Sequence, residues 1–284
     1  MCGIYPPQPP FLVGLFPKKP FSSSIINHID HNYMSLIRIQ KSKLSNQVKA
    51  QDNQSHDCPY NVPIPQHPHN ALIVGRRNSG KSTILLSLLN TDVAKGGLRR
   101  RFKRIYIISP TMPHDPKFKK LYDEVNDEGN YYELPTEENF AEILEKIKAM
   151  REEDPKEESL LILDDVIDKL AKSNSNSILN HAIICGRHYK LSIYTLSQKF
   201  NSISTIARCN AEVIICFNIA NKKEYESFRD ELNYDAKKFD DIYNVAMNGG
   251  GSHNFLTINS ANCRMRFFRR FDPIIIEEES ESDE

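Results

Sequence analysis

From residue 70 onward, short apolar runs alternate with stretches in which apolar residues recur every three or four positions. The runs Ala71–Val74, Ile105–Ile108, Leu160–Leu163, Leu191–Leu196 and Ala211–Phe217 have the length of single strands. Leu160–Leu163 has no polar interruption, as expected of a parallel strand buried on both faces. Between the runs, Ile84–Leu89, then Phe118, Leu121, Tyr122 and Val125, then Phe140, Ile143, Leu144, Ile147 and Met150, then Ile178, Leu179, Ala182 and Ile183 keep helical spacing. Two further helical stretches lie around Tyr225–Leu232 and Phe239–Met247. Strand and helix in alternation predict an α/β fold, a mostly parallel sheet with helices on both faces. After Gly249-Gly250-Gly251 the period drops to two, and Phe255, Thr257 and Asn259 are expected to pair with Arg264, Arg266 and Phe268 in a C-terminal hairpin.

The two ends of the chain lack this patterning. Ten of the sixteen prolines fall before residue 71, among polar runs such as Ser42–Ser55, so residues 1–69 read as a disordered Pro-rich and polar leader. A docking arm, a disordered tail and an early start codon, with Met34 as the true start, all fit it. Residues 273–284 carry the acidic run Glu277–Glu284 and read as a disordered tail. The folded domain is expected at 70–272, and a chain of 284 residues does not force a second one.

Net charge is zero, so any nucleic-acid contact must come from local patches, such as Arg99-Arg100-Arg101-Phe102-Lys103-Arg104, for which a solvated turn is the alternative. Six scattered cysteines form no C-x-x-C pair, and the histidines lack ligand spacing; His28 and His31 lie three apart in a polar stretch. We read a reducing compartment and no zinc site. No apolar stretch is long enough to span a bilayer, which predicts a soluble, intracellular protein with no membrane partner.

The candidate chemistry centres on the join between the first strand and the first helix. There Gly75-Arg76-Arg77-Asn78-Ser79-Gly80-Lys81-Ser82-Thr83 matches the Walker A pattern in its required setting. Gly75 and Gly80 permit backbone angles closed to other residues, so the loop N–H groups can wrap a polyphosphate at the positive end of the helix. Lys81 supplies a point charge to the β- and γ-phosphates of ATP, and the Ser82 hydroxyl is placed to ligate the bridging Mg²⁺. A glycine turn before an ordinary helix would leave Lys81 and Ser82 without a role.

A second candidate group lies at the end of the run Leu160–Leu163. Asp164 is expected to hold Mg²⁺ through its water shell, and Asp165 to orient and deprotonate the attacking water. A strand end followed by a helix-capping Asp is the alternative. A whole strand-helix unit, 104–150, separates the two motifs, which suggests that another strand lies between them in space. That arrangement belongs to P-loop NTPases of the additional-strand, catalytic-carboxylate type. Gln198, at the tip of the strand Leu191–Leu196, would then reach the γ-phosphate or the water as a sensor, unless it is only a turn residue. Arg187 and Arg208 are the arginines nearest in sequence to this catalytic edge, with transition-state stabilisation across a subunit boundary and a surface salt bridge as the two readings of each. Asn221-Lys222-Lys223-Glu224 imitates the guanine-reading motif of GTPases, but Glu stands where Asp belongs and no D-x-x-G follows Asp164.

Taken together, the P-loop, Leu-Leu-Ile-Leu-Asp-Asp, the stretch Gly186-Arg187-His188-Tyr189 through Ser197-Gln198, and Ile206-Ala207-Arg208-Cys209-Asn210 with the strand after it resemble the genome-packaging ATPases of large double-stranded DNA viruses, virophages and Polinton-type elements. These are poxvirus-like members of the FtsK–HerA group of DNA pumps. The resemblance runs from about Asn70 to Phe271. It implies an ATP- and Mg²⁺-dependent translocase of double-stranded DNA, working as a homo-oligomeric ring with capsid and portal-vertex partners. The setting it implies is the host cytoplasm or nucleus, with the virion as a further location. Many relatives place Glu where this chain has Asp165, and the shorter side chain requires a closer approach or an intervening water. Nothing in the chain matches a nuclease. Another pump or helicase of the same group, and a non-hydrolysing nucleotide-binding scaffold, are the alternative readings.

Overall fold

A computed structural model describes residues 62–166, 177–248, 253–261 and 265–276 of the chain. In these residues the expected alternation is realised as β1 (Asn70–Val74), α1 (Lys81–Asn90), β2 (Arg104–Ile108), α2 (Lys119–Asp127), β3 (Tyr131–Tyr132), α3 (Glu137–Glu153), β4 (Ser159–Asp164), α4 (Ile178–Cys185) and β5 (Leu191–Ser197). There follow α5 (Thr205–Cys209), β6 (Val213–Phe217), α6 (Lys222–Glu231), α7 (Ala236–Met247), β7 (Phe255–Asn259), β8 (Arg266–Arg269) and β9 (Asp272–Pro273). The sheet order is β3-β2-β4-β5-β1-β6-β7-β8-β9. The six strands from β3 to β6 in that order are parallel to their neighbours, and β6, β7, β8 and β9 pair antiparallel.

Successive strand residues point to opposite faces of a sheet, and here each face has its own apolar layer. Ile73, Ile107, Ile162 and Leu196 pack under α1 and α2, with Leu85, Leu88 and Val125. Leu72, Ile108, Leu161 and Ile193 pack against α3, α4, α6 and α7, with Ile143, Ile183, Phe228 and Phe239. Helices therefore cover both faces, as the pattern predicts. The expected hairpin forms, with Thr257 facing Phe268 and Asn259 facing Arg266, a register the sequence pattern does not specify; Arg264 lies outside the described residues.

Three details differ from the sequence reading. A strand does separate β1 from β4, but it is β5, from later in the chain; the unit at 104–150 puts β2 on the far side of β4. Pairing order follows how the crossover helices pack, which residue spacing along the chain does not specify. The folded part also begins before Asn70: Ile64 and His69 are buried, and the Pro65 carbonyl accepts a 2.8 Å hydrogen bond from Arg101. Residues 1–61, with His28, His31 and Met34, lie outside the described residues. Finally, β9 includes Pro273, so the expected tail starts inside a strand pair; Glu277–Glu284 are not described.

Candidate active site

Because β1, β4, β5 and β6 are parallel, their C-terminal ends open on one edge, where ligands bind in open α/β sheets. The P-loop leaves β1 at that edge. Asn78 and Gly80 take left-handed angles, φ 64° and 111°, which bend the loop around the start of α1. Gly75 is needed for a different reason: a Cβ there would lie 2.5 Å from Ser79 Oγ and 2.8 Å from Phe217 Cβ. Lys81 is buried and folds back over the loop, its Nζ donating to the carbonyls of Gly75 (2.7 Å) and Arg76 (3.2 Å). Burial lowers its pKa, and the charges of Asp165 and Asp164 oppose that shift.

Asp164 ends β4 on the other side of β5, with its side chain buried. Burial, then repulsion from Asp165, lifts its carboxyl to a pKa of about 6. Hydrogen bonds from Ser109 Oγ (3.1 Å) and Thr111 Oγ1 (3.4 Å), together with the charge of Lys81, favour its ionised form. Both hydroxyls come from the turn that follows β2. The sequence offers no local sign of them, since they lie more than fifty residues from Asp164. Asp165 is exposed and left-handed, at φ 51°, a backbone state that L-residues occupy rarely and that collects at functional sites. Gln198, one residue past β5, stands between the ends of β4 and β1.

Arg77, Asn78, Ser79, Gly80, Lys81, Ser82, Thr83, Asp164, Asp165 and Gln198 all line one cleft of about 970 Å³. Gly75 and Arg76 border a smaller one of about 230 Å³ behind the loop, which Gln198 also reaches. The shared cleft is large enough for a nucleoside triphosphate. The Ser82 hydroxyl and the Asp164 carboxylate suit a hard cation that keeps most of its waters. Among the described residues no group of three or more His, Cys, Asp or Glu side chains is placed to hold a metal by itself. Phe217, which the sequence marks only as the end of a strand, and His253, which it does not mark at all, complete the cleft on the β6–β7 side.

Arg187 and Arg208 do not line the cleft. Arg187 lies in the turn that enters β5, at the opposite end of that strand from Gln198, and bonds Glu212 at 2.7 Å. Arg208 bonds Glu231 at 2.7 Å and lies over the Phe200 ring. Sequence proximity to the catalytic edge therefore did not translate into spatial proximity within the chain, because each arginine precedes its strand. In the basic patch Arg101 is structural, ion-paired to Glu158 at 2.9 Å, while Arg99, Arg100, Lys103 and Arg104 are exposed. Asn221 caps α6 through the Glu224 N–H, and Glu224 accepts from the Phe200 N–H, which accounts for the GTPase-like tetrapeptide without a base.

The family model described as Poxvirus A32 protein matches residues 60–250. Among solved structures, the genome packaging NTPase B204 of Sulfolobus turreted icosahedral virus 2 bound to ATP-gammaS is similar at 17% identity and TM-score 0.51, over 72% of this chain and 98% of that one. B204 described as the DNA-packaging ATPase of Sulfolobus turreted icosahedral virus is similar at 18% identity and TM-score 0.51, over 74% of this chain and 100% of the other. At such identities the likeness shows a shared fold. Against curated proteins the chain finds no match.

Proposed function

The chain belongs to the poxvirus A32 protein family, and from that premise we propose that it is an ATPase that drives double-stranded DNA into a viral or transposon-like capsid. The observation that carries this reading is the convergence of Lys81, Ser82, Asp164, Asp165 and Gln198 on one cleft across the neighbouring ends of β1, β5 and β4. The match to packaging NTPases of known fold, one of them with an ATP analogue, supports it.

The loop N–H groups from Asn78 to Thr83 hold the phosphates, and Lys81 turns from the Gly75 and Arg76 carbonyls toward the β- and γ-phosphates. The Ser82 hydroxyl and, through water, the Asp164 carboxylate would hold Mg²⁺, which would supply positive charge to offset that of the phosphates. Asp165 takes a proton from the attacking water as its oxygen bonds the γ-phosphorus and the bond to the β–γ bridging oxygen breaks. Gln198 orients that water. Within a ring, an arginine from a neighbouring subunit stabilises the spreading charge. Arg187 is the better placed, its side chain 49% exposed against 16% for Arg208. Capsid or portal-vertex proteins would anchor the ring.

The test is ATP turnover with and without duplex DNA across a salt series. Duplex DNA should stimulate turnover, and the stimulation should fade steeply with salt because phosphate contacts dominate such binding. A rate indifferent to DNA at every salt concentration would overturn the packaging role.

A further inference from the structure

The sheet order fixes how a nucleotide must lie in this cleft. The acids Asp164 and Asp165 stand at the end of β4, and the P-loop follows β1 two strands away. The γ-phosphate has to point toward the acids, so the other end of the molecule points past β1 toward β6 and β7. On that flank the cleft is lined by Phe217 and His253. Phe217 is buried, packed beneath Gly75 and Gly80 and against Phe255, 5.3 Å between ring centroids, so its face is already used. His253 is exposed.

The histidine is also oriented. Its Nδ1 lies 3.0 Å from the Ser79 carbonyl oxygen, 174 residues earlier in the chain. A carbonyl only accepts, so Nδ1 carries the proton and the Nε2 of the neutral ring is an acceptor. Nε2 has no partner among the described residues. The next residue is anchored as well: Asn254 donates to the Met247 carbonyl at 2.9 Å, tying the start of β7 to the end of α7.

We propose that His253 is a nucleoside-binding residue: Nδ1 braces the P-loop through Ser79, and Nε2 accepts a hydrogen bond from a donor on the nucleoside, a ribose hydroxyl or the exocyclic amine of adenine. The proposal rests on the ATPase reading above and specifies which part of the substrate this flank recognises. It also gives the antiparallel end of the sheet a direct hold on the bound nucleotide.

The two roles separate by substitution in the full-length protein. His253→Asn keeps an amide N–H where Nδ1 stands and deletes Nε2, whereas His253→Ala removes both. With ATP and inorganic tripolyphosphate as Mg²⁺ complexes, His253→Asn should weaken ATP about 3- to 10-fold, the range of one hydrogen bond, and leave tripolyphosphate unchanged. His253→Ala should weaken both ligands. ATP lacking both ribose hydroxyls, and purine riboside triphosphate, then tell the two donors apart: the analogue without the relevant donor binds the unsubstituted protein and His253→Asn equally. Unchanged ATP affinity in His253→Asn, or equal losses for ATP and tripolyphosphate, would overturn the proposal. Failure of the unsubstituted protein to bind ATP at all would sink the underlying ATPase reading as well.

Discussion

Asp164 is a carboxylate that the fold holds against its own preference. Its folded pKa of about 6 exceeds the ordinary 3.8, so folding favours the protonated form. The resulting loss of stability sets in as pH rises from about 4 to 6 and is fully present above 6. The penalty amounts to at most ~3 kcal/mol. In nucleotide-free, Mg²⁺-free protein, Asp164→Asn should therefore raise the melting temperature by roughly 5 °C at pH 8, with the gain disappearing by pH 4, and abolish ATP turnover. Unaltered thermal stability at pH 8 would show that the carboxylate carries no such penalty. His69 acts in the opposite direction: burial takes its pKa down to about 3, while its ring bonds the His67 carbonyl and the Tyr194 hydroxyl, each at 2.8 Å. Stability from its neutral form is complete above pH 6.5 and drains as pH falls toward 3. Relative to His69→Gln, the unsubstituted protein should lose ~1.4 kcal/mol per pH unit below 6.5, read by urea unfolding at pH 6.5, 5.5 and 4.5. At this scale the sequence was legible where chemistry is contiguous, as in Gly75–Thr83. It was silent where a partner comes from afar, as Ser109 does for Asp164 or His253 for Ser79.

Among the elements, the loop between β1 and α1 is shaped as much by β6 as by its own glycines. Gly75→Ala would drive a methyl into Ser79 Oγ and Phe217, and Phe217 is fixed in turn by Phe255. That variant should bind ATP at least ~10-fold more weakly and melt at lower temperature, since overpacking of this kind costs ~1–3 kcal/mol. Wild-type ATP affinity in Gly75→Ala would mean that the loop is free of β6. The strands and helices themselves were readable because each has a clear period. Two features were not. Tyr131–Tyr132 is too short to show a period, and the segment ahead of Asn70 packs through single residues such as Ile64 and His69, which leave no pattern among its prolines. The insertion of β5 between β1 and β4 was legible only as some strand, because crossover packing chooses which one.

For the molecule as a whole, zero net charge and the lack of any described helix long and apolar enough to cross a membrane leave local geometry to specify function. The ring proposed above makes the farthest-reaching demand on that geometry, since Arg187 does not line the cleft of its own chain. If it serves a neighbour, Arg187→Ala should lower kcat by ~10³-fold or more with little change in ATP affinity. Mixing it with Lys81→Ala subunits should restore part of the activity, because each variant supplies what the other lacks; full activity in Arg187→Ala alone would exclude that role. No such complementarity can be read from one chain's sequence. The central claim is narrower: one loop grips the triphosphate while Asp165, beside the metal-side Asp164, activates water. Its most direct test is Asp165→Asn, measured for Mg²⁺-ATP affinity and single-turnover hydrolysis in the same preparation. Retained affinity with hydrolysis slowed at least ~100-fold is the expected result, and hydrolysis at the wild-type rate would contradict the account.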